Sequence, residues 1–226
     1  MKKAFTMIEL VFVIVIVGIL SFVAASSFQR NTLREAADQV VSHIRYTQHL
    51  AMMENHFSPT DTNWFQGRWQ IRFFPNLNFS GGYVPNGPYN NIWAYSIYSD
   101  VPNYTHLPDL TGLARNPLNN NQYLSGGYNN TLHVEDAKSM KELRLNEKYG
   151  ITNVTFGGGC RTGITHIQFD ELGRPYNSYI TGNNPSGEIV AGFPRLILTQ
   201  CQITLADSTT NVVIAIEPET GYTHIQ

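Results

Sequence analysis

Apolar and polar positions follow three patterns along the chain, and the first is a continuous apolar run. It covers residues 10–20 and follows Lys2 and Lys3. A helix through residues 7–28 would be about 30 Å long, which is enough to cross a bilayer. One carboxylate, that of Glu9, lies in this segment. Because a charge in lipid costs at least about 2–3 kcal/mol, we expect Glu9 to do more than anchor the chain.

The second pattern, over residues 32–54, is polar overall but keeps an apolar stripe. Apolar or small residues recur every three or four positions, which places them on one face of a helix. The stripe consists of Leu33, Ala37, Val40, Ile44, Thr47 and Ala51, and it is widened by Ala36 and Val41. We therefore predict one continuous helix over residues 5–54, transmembrane in its first half and amphipathic in its second.

The third pattern is the alternation of bulky and polar residues that is typical of β-strands. It predicts strands at residues 69–74 and 93–99, and a weaker one at 131–134. Further strands are predicted at residues 151–156, 164–169, 195–205 and 211–216, with turn signals at 170–175 and 207–210 joining them in pairs. A short surface helix is predicted at residues 138–148, ending at Gly150. The resulting fold class is α+β, with a long N-terminal helix packed on an antiparallel β-sheet head.

These patterns divide the chain into a leader at residues 1–4, a helix at 5–56 and a β-rich globular head at 57–226. Within the head, residues 75–130 are rich in Asn, Gly, Pro and Tyr, which predicts a loop-rich insertion. Charge is low and balanced, with 14% charged residues and a net charge of -2. Composition therefore gives no indication of nucleic-acid binding, which needs several cations.

The two cysteines, Cys160 and Cys201, predict a disulfide. Lys2 and Lys3 precede the apolar run, and positive charge stays on the cytoplasmic side. We therefore expect a single-pass inner-membrane protein whose head lies in the periplasm, where a disulfide persists. Two separate buried thiols are the alternative. Because the cysteines lack the close spacing of zinc ligands and no CxxC occurs, we expect no metal site, and we expect no cofactor.

Three interpretations of the first residues compete. Ala24-Ala25-Ser26 would suit a secretory signal peptide, and the length of the run would suit a simple signal anchor. Neither explains Glu9. The segment Lys2-Lys3-Ala4 followed by Phe5-Thr6-Met7-Ile8-Glu9-Leu10 resembles the leader of type IV prepilins and pseudopilins, in which an acid has a fixed position in an apolar run.

This resemblance implies that a prepilin peptidase cuts between Ala4 and Phe5 and methylates the new amino group. It also implies that Glu9 pairs with the Phe5 amine of a neighbouring subunit, which sets the axial register of a filament. Ala4 replaces the commoner Gly of the family. Ser26 stands where major filament subunits usually carry Pro, which favours a minor subunit.

The resemblance extends to the second half of the chain, where residues 164–176, 196–205 and 211–222 are similar to the GspH/FimT-type pseudopilin domain. A strand, an Asp-x-x-Gly-Arg turn starting at Asp170, and a Pro-x-Thr-Gly segment ending at Gly221 occur in the family's order. Asp170 and the adjacent Glu171 are predicted as solvated turn residues. Some family members are thought to bind DNA near the carboxyl end, but this tail, EPETGYTHIQ, has no Lys or Arg.

The sequence predicts no catalytic residue and no enzyme, because neither G-x-S-x-G nor HExxH is present. We expect a minor pilin or pseudopilin of a type II secretion or type IV pilus-like filament. Its partners would be other subunits, the prepilin peptidase and the inner membrane, with nucleic acid not expected. Two alternatives stay open, namely a DNA-binding competence subunit and a membrane-anchored periplasmic adhesin or enzyme.

Overall fold

The computed structural model divides the chain into two compact units, Met1–Asn31 and Thr32–Gln226. It describes residues 6–27, 31–61, 64–77, 87–102, 104–105, 107–128, 132–177 and 195–226, with the side chains of 23–27 excepted. Ala4 and Phe5 lie outside the described residues, as does most of the Asn- and Gly-rich stretch before residue 87. The two units are therefore taken separately, and the second is called the globular unit.

The predicted continuous N-terminal helix is wrong, because two helices occupy this part of the chain. Helix α1 is Met7–Ser27 and helix α2 is Thr32–Met53, while Asn31 is not helical. Asn has a low helix propensity but is strongly favoured directly before a first helical residue, where its side chain can accept a backbone N–H. Its position before Thr32 therefore suits a new helix start better than a helix interior.

The predicted membrane span is also wrong. Within the described ranges, no helix is both long enough and apolar enough to cross a bilayer. This finding corrects both the long transmembrane helix of the predicted fold class and the predicted single-pass inner-membrane location.

Helix α2 buries the face that its sequence predicted. Its buried residues are Leu33, Ala36, Ala37, Val40, Val41, Ile44, Thr47 and Ala51. This face packs against strands of two sheets, so the core of the globular unit lies between α2 and those sheets. Burying a Val, Leu or Ile side chain contributes about 1.5–3 kcal/mol to stability. The apolar face therefore stabilises the packing of α2 on the sheets although the helix is polar overall.

The described residues of the globular unit form two four-stranded antiparallel sheets and one short hairpin. The first has the order β2-β1-β6-β7 and the second β10-β9-β8-β5. The first comprises β1 (Trp69–Phe74), β2 (Ala94–Ser99), β6 (His166–Phe169) and β7 (Pro175–Asn177). The second comprises β5 (Asn153–Gly158), β8 (Cys201–Ala206), β9 (Asn211–Ile216) and β10 (Thr223–Ile225).

The remaining elements are short. Strands β3 (Arg115–Asn116) and β4 (Asn119–Tyr123) form a two-stranded hairpin, and α3 is Leu145–Tyr149. Single 3-10 turns lie at Trp64–Gly67 and Lys141–Leu143. Helix α3 ends at Gly150, whose φ of 74° is the left-handed conformation that glycine adopts readily.

Two of the strand predictions match the structure to the residue. Residues 69–74 and 211–216 coincide with β1 and β9, whereas only the second half of 195–205 is a strand. Residues 132–134 are not a strand, so that weaker prediction is wrong. The hairpin β3–β4 lies inside the segment predicted as loops, because Asn-rich strands of two and five residues carry no apolar alternation.

Candidate assembly site

Glu9 lies in the first turn of α1 and is fully exposed to solvent. Its Oε2 accepts a hydrogen bond of 3.1 Å from the Thr6 backbone N–H and one of 3.0 Å from the Thr6 hydroxyl. These two bonds, the backbone bond first, lower the pKa of the Glu9 carboxyl. The positive end of the helix dipole also stabilises a negative charge near a helix N-terminus. Glu9 is therefore a carboxylate held ionised at the start of α1.

From Met7 to Phe22, α1 presents apolar side chains to solvent on every side. Large hydrophobic residues from Met7 to Phe22 are between 48% and 86% exposed. A helix that is apolar all round is normally buried, because apolar surface in water is unfavourable by about 25 cal/mol per Å². Helix α1 therefore carries the largest uncovered apolar surface among the described residues. The residues that would precede it in the cleavage motif, Ala4 and Phe5, are not described.

The Asp170 turn of the resemblance is built around a buried carboxylate. Asp170 accepts the N–H groups of Leu172 and Arg174 at 3.0 and 2.8 Å, the Arg174 guanidinium at 2.7 Å and the Tyr176 hydroxyl at 3.1 Å. Its side chain is only 1% exposed, so the predicted solvated role is wrong. The turn that joins β6 to β7 is thus fixed by one acid with four donors.

The Asp170 turn and the Gly221 segment, separate in sequence, meet at one residue of α2. Gln48 donates to the carbonyl oxygens of Gly173 and Thr220, both at 2.8 Å. A Cβ on Gly221 would lie 2.5 Å from the Gly173 oxygen, and Gly221 has a φ of 64°. Only glycine fits that approach and that conformation without strain. The two late motifs are therefore held against α2 by Gln48, a role for Gln48 that the sequence did not predict.

The predicted disulfide is confirmed. Cys160 and Cys201 are bonded across 41 residues, with their Cα atoms 4.6 Å apart, and both are buried in the core. Gly158 pairs with Cys201 across the β5–β8 ladder, so the bond joins the end of β5 to the start of β8. A loop of this length gives a stabilisation of about 3–4 kcal/mol in the chain-entropy model. The disulfide is a structural bond between neighbouring strands.

A polar chain inside the globular unit links α2 to β2 and α3. The Tyr149 hydroxyl donates to Gln39 Oε1 at 2.6 Å, Gln39 Nε2 donates to the Tyr95 hydroxyl at 2.8 Å, and that hydroxyl lies 2.6 Å from His43 Nδ1. Burial lowers the pKa of His43 to about 4 and raises that of Tyr95. A neutral His43 can form this hydrogen bond with the Tyr95 hydroxyl, so every member of the chain has a partner.

Two cations that the sequence did not associate with the carboxyl tail lie beside it. Arg34 and Arg45 of α2 line a cleft of about 420 Å³ together with Asp38 and His224. Arg34 pairs with Asp38 at 3.6 Å, and Arg45 donates to the Thr223 carbonyl oxygen at 2.6 Å. Both cations thus have protein partners, and the expectation that nucleic acid does not bind stays a prediction.

Within the residues that the structure describes, no group of three or more His, Cys, Asp or Glu side chains could hold a metal ion. The polar side chains that do converge, at Asp170 and at Tyr95, bond to each other and to backbone. Comparison of the chain with known protein families, with curated proteins and with solved structures gives no match.

Proposed function

We propose that the chain is a minor pilin or pseudopilin subunit of a type II secretion or type IV pilus-like filament. It is processed by a prepilin peptidase and assembled through its N-terminal helix. The observation that carries the proposal is Glu9, an ionised carboxylate at the start of an uncovered apolar helix, five residues after the Ala4 end of the leader-like sequence.

The exposed side chains of α1 support assembly through this helix. A helix with apolar side chains on all sides removes most apolar surface from water when equivalent helices surround it, as they do in the core of a filament. Packing of that kind would take the Glu9 carboxylate out of water, where it needs a cation. The amine that cleavage creates on Phe5 of a neighbouring subunit is such a cation, and pairing would define how far each subunit rises along the filament.

The globular unit supports a role in association rather than chemistry. Its polar clusters serve its own fold, since Gln48, Asp170 and Tyr95 all use their hydrogen-bonding groups on neighbouring residues. The function of the globular unit would then be to bind neighbouring subunits or cargo. Ser26, in place of the Pro of major subunits, favours a minor position in the filament.

Processing is tested by the mass of the amino terminus in protein isolated from cells that assemble such filaments. We expect a chain that starts at Phe5 and carries one methyl group on its amine. An intact Met1, or a cut after Ala25, would contradict the proposal.

Assembly is tested by Glu9→Gln, which removes the charge but keeps the size. The variant should be processed normally, and its amount in sheared filaments should fall at least about tenfold, because an unpaired buried amine costs several kcal/mol. Glu142→Gln, the same change at an exposed residue of the globular unit, is the matched control and should assemble normally. Normal assembly of Glu9→Gln would refute the pairing role.

A further inference from the structure

The two four-stranded sheets have four edges, and at three of them other parts of the chain bond to at least one outward backbone group. The β2 edge bonds to the segment after it, since Ile97 exchanges backbone bonds with Ala114 and Leu124 at 2.9 Å. The β7 edge is bridged at Tyr176 by Leu196. On β10, the outward carbonyl of Thr223 accepts two bonds from the Arg45 guanidinium. The fourth edge is the outer side of β5.

The register of β5 shows which of its backbone groups face outward. Gly159 donates to the Gln200 oxygen at 2.8 Å, directly beyond the ladder in which Gly158 pairs with Cys201. Hydrogen-bonded and non-bonded pairs alternate in an antiparallel ladder, so residues 153, 155 and 157 bond to β8 and residues 154, 156 and 158 point away from it. Among the described residues, no backbone or side-chain group bonds to these outward groups.

The β5 edge also lacks the features that keep an edge from pairing. Proteins protect exposed edges with charged residues, Pro, bulges or a covering element. The sequence of β5, Asn-Val-Thr-Phe-Gly-Gly, has no charge and no Pro, and its Cα register with β8 has no shift, with a left-handed φ of 62° confined to the last residue, Gly158. Phe156 is only partly buried although its ring packs edge-on against Phe73, with the centroids 5.7 Å apart. A neighbouring strand would cover the rest of that ring.

We propose that the outer edge of β5 pairs, antiparallel, with the same edge of a second copy of this chain. The outward groups of residues 154, 156 and 158 are complementary to themselves about a two-fold axis at Phe156. In that register Val154 opposes Gly158 of the other copy, three bonded pairs form, and about six backbone hydrogen bonds join the two sheets.

A second copy suits this edge better than a charged peptide does. The strand has no charge, so two copies meet without the like-charge repulsion that opposes most identical strands. The two Phe156 rings, directly opposite on the same face, form the kind of aromatic cross-strand pair that stabilises sheets. The result is one continuous eight-stranded sheet across two globular units, and this pairing is independent of α1 and of the proposed function.

The test is amide hydrogen exchange of the full chain, resolved to single residues, as protein concentration is raised. Self-association through α1 does not affect this readout, because it reports β5 alone. The amides of Val154 and Phe156 should exchange about tenfold more slowly once roughly nine-tenths of the chains are paired. Those of Asn153, Thr155 and Gly157 are already bonded to β8 and should stay protected throughout.

Thr155→Lys and Thr155→Glu sharpen the test. Thr155 is exposed, and in the proposed register the two copies of this residue are diagonal neighbours within reach of long side chains. Each variant alone should lose the concentration-dependent protection at Val154 and Phe156, and an equal mixture of the two should regain it. Ser208→Lys adds the same charge in the exposed turn after β8, away from this edge, and should behave like the parent chain.

Three outcomes would overturn the proposal. One is fast exchange of Val154 and Phe156 at every concentration. Another is protection that does not change with concentration, which would mean that this chain covers its own edge. The third is failure of the mixture to regain protection while Asn153 and Gly157 stay protected in both variants, because an intact sheet that cannot be rescued by opposite charges does not pair at this strand.

Discussion

Helices α1 and α2 are nearly equal in length, with 21 and 22 residues, but they are stabilised in opposite ways. Helix α2 buries one face in the globular unit and donates side-chain bonds to distant turns. The described side chains of α1 are all exposed. The Glu9 carboxylate accepts hydrogen bonds from the neighbouring Thr6, just before the helix. The apolar character of a helix therefore does not by itself determine whether its side chains are buried. The narrow apolar stripe of α2 is buried where the helix packs on the two sheets, whereas the described side chains of α1, apolar on all sides, are exposed.

The largest expected difference between the two helices comes from a matched pair of truncations. Ile44→Ala removes a fully buried side chain of α2 and should lower the free energy of unfolding of the globular unit by about 2–5 kcal/mol. Ile16→Ala changes an exposed residue of α1 and should alter it by less than about 0.5 kcal/mol. Urea unfolding followed by tryptophan fluorescence measures both, and equal losses would contradict the comparison.

The next effect depends on pH and arises at His43 of α2. His43 has a pKa of about 4 in the folded chain, because burial disfavours its charge, against 6.5 as its ordinary value. The unfolded chain therefore binds more protons between these two values. Stability present above pH 6.5 should be lost as the pH falls to 4, by up to about 3 kcal/mol.

His43→Gln tests whether His43 causes this pH dependence, since an amide can hydrogen-bond to the Tyr95 hydroxyl but does not titrate. Unfolding free energies measured between pH 7 and pH 4 should fall less steeply for the variant than for the parent chain. If the two slopes are the same, the pH dependence comes from other groups and the buried neutral His43 is not its cause.

The smallest of these effects concerns the docking of the late turns on α2. Gln48→Ala removes donors to the Gly173 and Thr220 oxygens and should cost about 1–2 kcal/mol, because two carbonyl groups lose a partner. Gln48→Glu keeps the size but places an acceptor against two acceptors, so it should destabilise at least as much. Thermal unfolding measures both variants, and a neutral Gln48→Ala would mean that these bonds do not hold the turns.

The sequence alone determined the features that depend on local periodicity. The eight residues of the α2 stripe are those that the structure buries, because a spacing of three or four positions identifies one helix face whatever packs on it. Strand β1 was predicted to the residue through its alternation, and β9 through a short apolar run that follows the turn at 207–210. The disulfide was predictable because the chain has only two cysteines.

Only the tertiary structure showed where helices separate, which distant segments contact each other and which strands lie at sheet edges. The separation of α1 from α2 at Asn31 was missed because helical signals lie on both sides of it, and the hairpin β3–β4 was missed because its residues are mostly polar. The contact of Gln48 with two turns more than 120 residues away has no local signal. Nor does the position of β5 at a sheet edge, since strand order depends on which strands pair, and a single strand's pattern is the same at an edge and in the middle.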